Sequence, residues 1–126
     1  MKLVEILHDT QPDYWLTAWF DSDGKLYQSE REHHGEMIAR LMPDEDPDDA
    51  EFAAFTEGWV RAGIYKHAGK DAETYLEFDE NFVSKPILMK AFRWLKTKFR
   101  KIEGRPLEFI ETGNLKISVH DFESVI

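Results

Sequence analysis

Residues 57–79, EGWVRAGIYKHAGKDAETYLEFD, decide how the rest of the chain is read. In the first part Val60, Ala62 and Ile64 alternate with Trp59, Arg61 and Tyr65. In the second, Thr74, Leu76 and Phe78 alternate with Glu73, Tyr75, Glu77 and Asp79. A period of two belongs to a strand with one buried face. Between the two lies His67-Ala68-Gly69-Lys70-Asp71, with the glycine and aspartate of a hairpin connection. If the apolar sets share a face, the other face brings Trp59, Arg61 and Tyr65 close to Glu73, Tyr75 and Glu77. An arginine facing carboxylates across a ladder contributes only a few tenths to about 1 kcal/mol, and it helps to fix register. The hairpin is therefore read as the centre of an antiparallel sheet.

Toward the N-terminus, residues 14–20 put Tyr14, Leu16, Ala18 and Phe20 on one face and Trp15, Thr17 and Trp19 on the other. Both faces are bulky, which calls for a cover on both sides or for a partner on one. Asp21-Ser22-Asp23-Gly24 turns this strand into a second one over 25–28. Leu3, Val4, Ile6 and Leu7 suggest a further short strand, broken by Pro12 and Asp13. Ser29 followed by Glu32 has the spacing of a capping box and opens a helix through about Met42. Its stripe is Met37, Ile38, Leu41 and Met42, and Pro43 stops it. A second short helix is expected from Asp46 as cap and Pro47 at the first position, with Phe52, Ala53 and Phe55 inward and Gly58 at its end.

Beyond the central hairpin, residues 85–102 give the strongest helical pattern, capped by Ser84 and closed by Gly104. Leu88, Ala91, Phe92, Leu95, Phe99 and Ile102 recur every three or four residues along one stripe. Last come two strands, 107–112 and 115–119, around Gly113-Asn114. That turn sets Ile110 opposite Ile117 and Glu111 opposite Lys116. The order of elements gives a single α+β domain over residues 1–126, an antiparallel sheet of hairpins with helices packed on one face.

Composition narrows the class. In 126 residues, 42% hydrophobic and 13% aromatic content suffices for a core. Without cysteine there are no disulfides, thiolate metal ligands or cysteine nucleophiles. Apolar runs fall far short of the roughly 20 residues that span a bilayer, and MKLVEILHDT has Glu5 in its apolar part and no small-residue cleavage site. The expected location is cytoplasmic, with no membrane association. The net charge of −9 argues against a grip on polyanions over the whole surface. That charge is unevenly spread: residues 44–57 hold seven acids and no base, and residues 85–105 hold eight bases against Glu103 alone.

Several clusters offer chemistry. In EREHHGE, Glu30 and His33 have the Glu-x-x-His spacing of carboxylate-bridged metal sites, and Glu30 and His34 are one helical turn apart. A second such motif and the zincin order are both missing, so the segment reads as a solvated first turn, with Glu30, His33 and His34 the weak candidates for a metal. Asp21-x-Asp23-Gly24 lacks the later acids of a calcium loop and reads as a turn. The pairs His8–Asp9 and His120–Asp121 are sequence neighbours that give Ser-His-Asp catalysis no support. The 85–105 helix is the main candidate surface: Lys90, Arg93, Lys98 and Lys101 supply cations and Trp94 a stacking platform, with Trp59 and Arg61 as further contacts. The plainer reading is an amphipathic helix whose bases are solvated or neutralised by the chain's own acids.

DGKLY, EHHGEMIARL and EGWVRAGIY, taken together, resemble a pattern in short uncharacterised phage and prophage proteins: a D-G turn, a histidine-bearing helix and a Gly-Trp-Ile/Val-Arg strand. The matching positions are Asp23, Gly24, His33 or His34, Gly58, Trp59, Val60 and Arg61, within residues 23–65. The acidic insertion before Phe52 departs from the pattern. The resemblance implies a phage or mobile-element accessory protein and carries no catalytic role. The expectation is thus a small acidic non-enzymatic accessory protein with a macromolecular partner, a protein in preference to nucleic acid. A nucleic-acid-binding module on the 85–105 helix and a metal-dependent enzyme around Glu30, His33 and His34 are the alternatives. No cofactor is called for, and a homodimer is compatible.

Overall fold

The structure, a computed structural model, describes residues 12–125. At its centre β3 (Val60–Lys66) and β4 (Glu73–Glu77) form the hairpin read from the sequence, with Arg61 opposite Glu77, Ala62 opposite Leu76 and Tyr65 opposite Glu73. Strand β1 (Tyr14–Phe20) lies against the other side of β3 and turns back through Asp21 and Gly24 into β2 (Leu26–Glu30). The Asp21 carboxylate accepts the amides of Asp23 and Lys25 in that turn. A third hairpin, β5 (Phe109–Thr112) and β6 (Leu115–Ser118), has Ile110 opposite Ile117 and Glu111 opposite Lys116, as its Gly-Asn turn requires.

The strand order is β2-β1-β3-β4-β5-β6. Every neighbouring pair is antiparallel except β4 and β5, which run parallel and pair at Tyr75 and Glu111. The exception follows from the connection. A helix returns the chain between the second and third hairpins, as parallel neighbours require. Beside this pairing a gap of about 490 Å³ opens, bordered by Asp71, Thr74, Phe99, Leu107 and Phe109, with the Thr74 hydroxyl donating to the Phe109 carbonyl.

Helices cover both faces of the sheet. This corrects the expectation that they would occupy one. On one face α3 (Lys85–Glu103) buries Leu88, Ala91, Phe92, Leu95 and Phe99 against Ala18, Phe20, Val60, Ala62, Ile64 and Leu76. On the other, α1 (His34–Leu41) and α2 (Ala50–Thr56) enclose Trp19 and Trp59 with Met37, Ile38, Met42, Ala50 and Ala54. Two buried tryptophans, Trp19 in β1 and Trp59 just before β3, are too much apolar surface to leave in water, so the second layer is needed to cover them.

Other local readings shift. The capping box does not form: Ser29 and Glu30 belong to β2, and α1 starts at His34 with His33 before it. Sheet pairing wins because Ser29 already faces Thr17, whose hydroxyl donates to the carbonyls of Ser29 and Glu32. Arg31, at φ 60°, then turns the chain toward the helix. The second helix also begins later than Pro47, since the Asp46 carboxylate accepts the Asp48 amide in a turn that competes with the helix. Ala50 and Ala54, not Phe52, point inward; Phe52 is 73% exposed. Helix α4 (Val119–Val125) replaces the end of the last expected strand and lays Phe122 on Phe92, ring centroids 4.9 Å apart. The strand suggested at Leu3–Leu7 lies outside the described residues. Among the described residues no helix is long and apolar enough to cross a membrane.

Candidate functional site

Helices α1 and α2 stop short of the sheet's far side, and a polar cleft of about 440 Å³ remains beside them, lined by His34, Glu51, Arg61, Tyr75, Glu77 and Glu111. Its floor depends on a glycine. A Cβ at Gly63 would lie 2.3 Å from the Tyr75 hydroxyl oxygen, so only glycine lets the tyrosine cross its neighbouring strand. Tyr75 thereby reaches His34, whose Nδ1 is 3.2 Å from its hydroxyl and whose Nε2 is 3.1 Å from the Ala62 carbonyl. A carbonyl can only accept, so Nε2 donates to Ala62 and Nδ1 accepts the tyrosine proton. Burial holds His34 down at about 4 and pushes Tyr75 well above its ordinary value. Neither group is poised to exchange protons near neutrality, where a general acid or base works best. This pair orders the cleft floor.

Charge in the cleft is largely paired. Arg61 reaches Glu77 at 2.6 Å and Glu51 at 3.2 Å, with its guanidinium over the ring of Phe55. Tyr65 donates to Glu111 at 3.1 Å, and burial together with that carboxylate raises its titration. The expected Arg61–Glu77 contact across the hairpin is therefore present. Arg61 is consequently no free surface cation. Trp59 is buried to 9% exposure, stacked on Tyr27 at 5.8 Å. Both residues leave the proposed binding surface, because period-two alternation places them under α2, on the face opposite α3.

The metal candidates do not converge. Glu30 sits in β2, His33 stacks on Trp15 at 6.0 Å, and His34 points inward to Ala62. Among the described residues no three potential ligands stand together for a metal ion.

On the opposite face, α3 presents the remaining candidates together. Lys90, Arg93, Trp94 and Lys98 border a shallow groove of about 380 Å³ with Phe20, Leu26, Gln28 and Thr97. The long apolar stripe of α3 fixes this: with Leu88, Leu95 and Phe99 inward, the intervening bases must face out. Lys90 donates to the Gly24 carbonyl at 2.6 Å, tying the helix to the first turn. Trp94 donates to the Gln28 side chain at 3.2 Å and meets Phe20 edge-on, so its ring is half-buried at the groove wall. Lys101 is exposed beyond the groove. Lys96 lies over Phe92, and Arg105 pairs with Asp71. Among the described residues no acid pairs with Arg93, Lys98, Arg100 or Lys101.

The sequence missed the His34–Tyr75 contact and the part Gln28 plays in the groove. A signal for the first existed: a glycine inside a strand marks a close approach, here Tyr75 over Gly63. Fold and site together define an α+β domain with a basic groove on one face of its sheet and a polar cleft on the other. No known protein family, curated protein or solved structure matches the chain.

Proposed function

We propose that the chain is a non-enzymatic binding module that docks an acidic protein partner on the outer face of α3. The observation that carries this reading is the set of cations on α3 that pair with no acid among the described residues, in a chain that has 25 acids. Eight bases and Glu103 leave +7 in residues 85–105, so the total of −9 requires −16 elsewhere. This separation of charge favours an acidic protein segment short enough to lie along α3 over a long nucleic-acid duplex. The 19 residues of α3 span only about 28 Å, and a duplex running past them meets the acidic remainder of the molecule. The resemblance of residues 23–65 to phage and prophage proteins supports a phage or mobile-element accessory role in a bacterial cytoplasm.

The test compares a poly-L-glutamate no longer than α3 with single- and double-stranded oligonucleotides in fluorescence titrations over a range of salt. Polyglutamate should bind in a salt-dependent way, and the triple variant Arg93→Glu, Lys98→Glu, Lys101→Glu should lose it. Oligonucleotides should not bind near physiological ionic strength. If the triple variant binds polyglutamate as well as the parent does, the reading is wrong. Submicromolar oligonucleotide binding that rises as salt falls would transfer the surface to nucleic acid.

A further inference from the structure

β2 is the end strand of the sheet, and among the described residues nothing pairs with its outer side. Which of its groups face outward follows from the backbone bonds at the two ends of the first hairpin. The Asp21 amide donates to the Lys25 carbonyl, and the Arg31 amide donates to the Trp15 carbonyl. In an antiparallel ladder bonded and non-bonded pairs alternate. Tyr27 and Ser29 therefore bond to β1, and the N–H and C=O groups of Leu26, Gln28 and Glu30 point away from the sheet. The side chains of Leu26 and Gln28 are on the α3 side, because Leu26 is opposite Phe20 and Gln28 opposite Ala18. The open backbone edge thus runs beside the groove of Phe20, Trp94, Arg93 and Lys98.

From this juxtaposition, and resting on the reading of α3 as an acid-binding surface, we infer that the partner contributes an extended acidic segment that adds to the sheet along β2. Its backbone would pair with Leu26 and Gln28, and its carboxylates on the α3 side would meet Arg93 and Lys98. Strand addition draws affinity from main-chain bonds and specificity from alternate side chains. Charge complementarity chooses the occupant: the cations beside the edge select acids, and Glu30 confines the segment to the Leu26 end. β6, at the far end of the sheet, is four residues long, and its own Lys116 lies over the Phe109 ring.

The experiment uses the whole chain and two blocked ten-residue peptides of alternating glutamate and valine. One has free amides, and the other is N-methylated at two consecutive central residues, which blocks either edge at unchanged charge. The free-amide peptide should bind at least about tenfold more tightly, and Gln28→Pro, which removes an outward N–H from an edge strand, should erase the difference. Thermal melts establish that this variant is folded; the peptide comparison in the parent protein stands without it. Equal binding of the two peptides overturns strand addition and leaves the acid-binding surface in place. So does binding of polyglutamate without binding of either peptide. Failure of all three ligands at low salt overturns both.

Discussion

At the scale of single residues, the fit of Tyr75 over Gly63 is the tightest approach at any glycine among the described residues. Gly63→Ala inserts a methyl where the tyrosine ring already lies, and such overpacking costs about 1–3 kcal/mol. In a Tyr75→Ala background the same change should cost much less, and a double-mutant cycle from denaturant melts measures the difference. Additive effects would mean that the two residues do not compete for space. His34 adds a dependence on pH. Its folded-state value of about 4 is below the ordinary 6.5, so the unfolded chain takes up a proton that the buried ring refuses. The resulting stability is complete above about pH 6.5 and declines as pH falls toward 4, by at most roughly 3 kcal/mol. Melts of the parent and His34→Gln across this window check it: the variant should show a flatter profile.

At the scale of elements, α3 is the member most exposed to test. Leu95 has no solvent exposure, and Leu95→Ala should cost about 2–5 kcal/mol. A loss well under 1 kcal/mol would contradict the packing of this helix. Elements with long, regular patterns were legible in the sequence: α3 from its stripe, β3–β4 down to the sets of residues on each face, and β5–β6 down to its cross-strand partners. What escaped were decisions between local signals and distant ones. Ser29-x-x-Glu32 has a helix-capping spacing, but Thr17 holds Ser29 in the ladder from twelve residues away. The opposite error occurred at Ser118-x-x-Asp121, where the serine hydroxyl accepts the Asp121 amide and starts α4 while the alternation still suggested a strand. The candidate site was half legible. The bases and Trp94 of α3 were visible as a face, whereas the groove needed Gln28 and Phe20, which only the fold brings to them.

At the scale of the whole molecule, charge is sorted by layer: bases on the outer face of α3, acids around α2 and the cleft. Substituting pairs of opposite sign within one layer should leave binding intact, while neutralising Arg93, Lys98 and Lys101 should reduce the slope of log affinity against log salt for any acidic ligand. The sheet has its own division. β4 and β5 share a single pairing, Tyr75 with Glu111, and a gap opens beside it. Few backbone bonds therefore hold the last hairpin to the rest, and its attachment relies on the Tyr65 and Thr74 hydroxyls donating to Glu111 and Phe109 and on the side chains of Ile110 and Phe122 against α3. Such a seam is a natural boundary between cooperative units of opening. In amide hydrogen exchange, β5, β6 and α4 should trade protons for deuterium together, ahead of β1 and β3. The molecule would then breathe from its C-terminal edge while the strands that carry the groove stay shut.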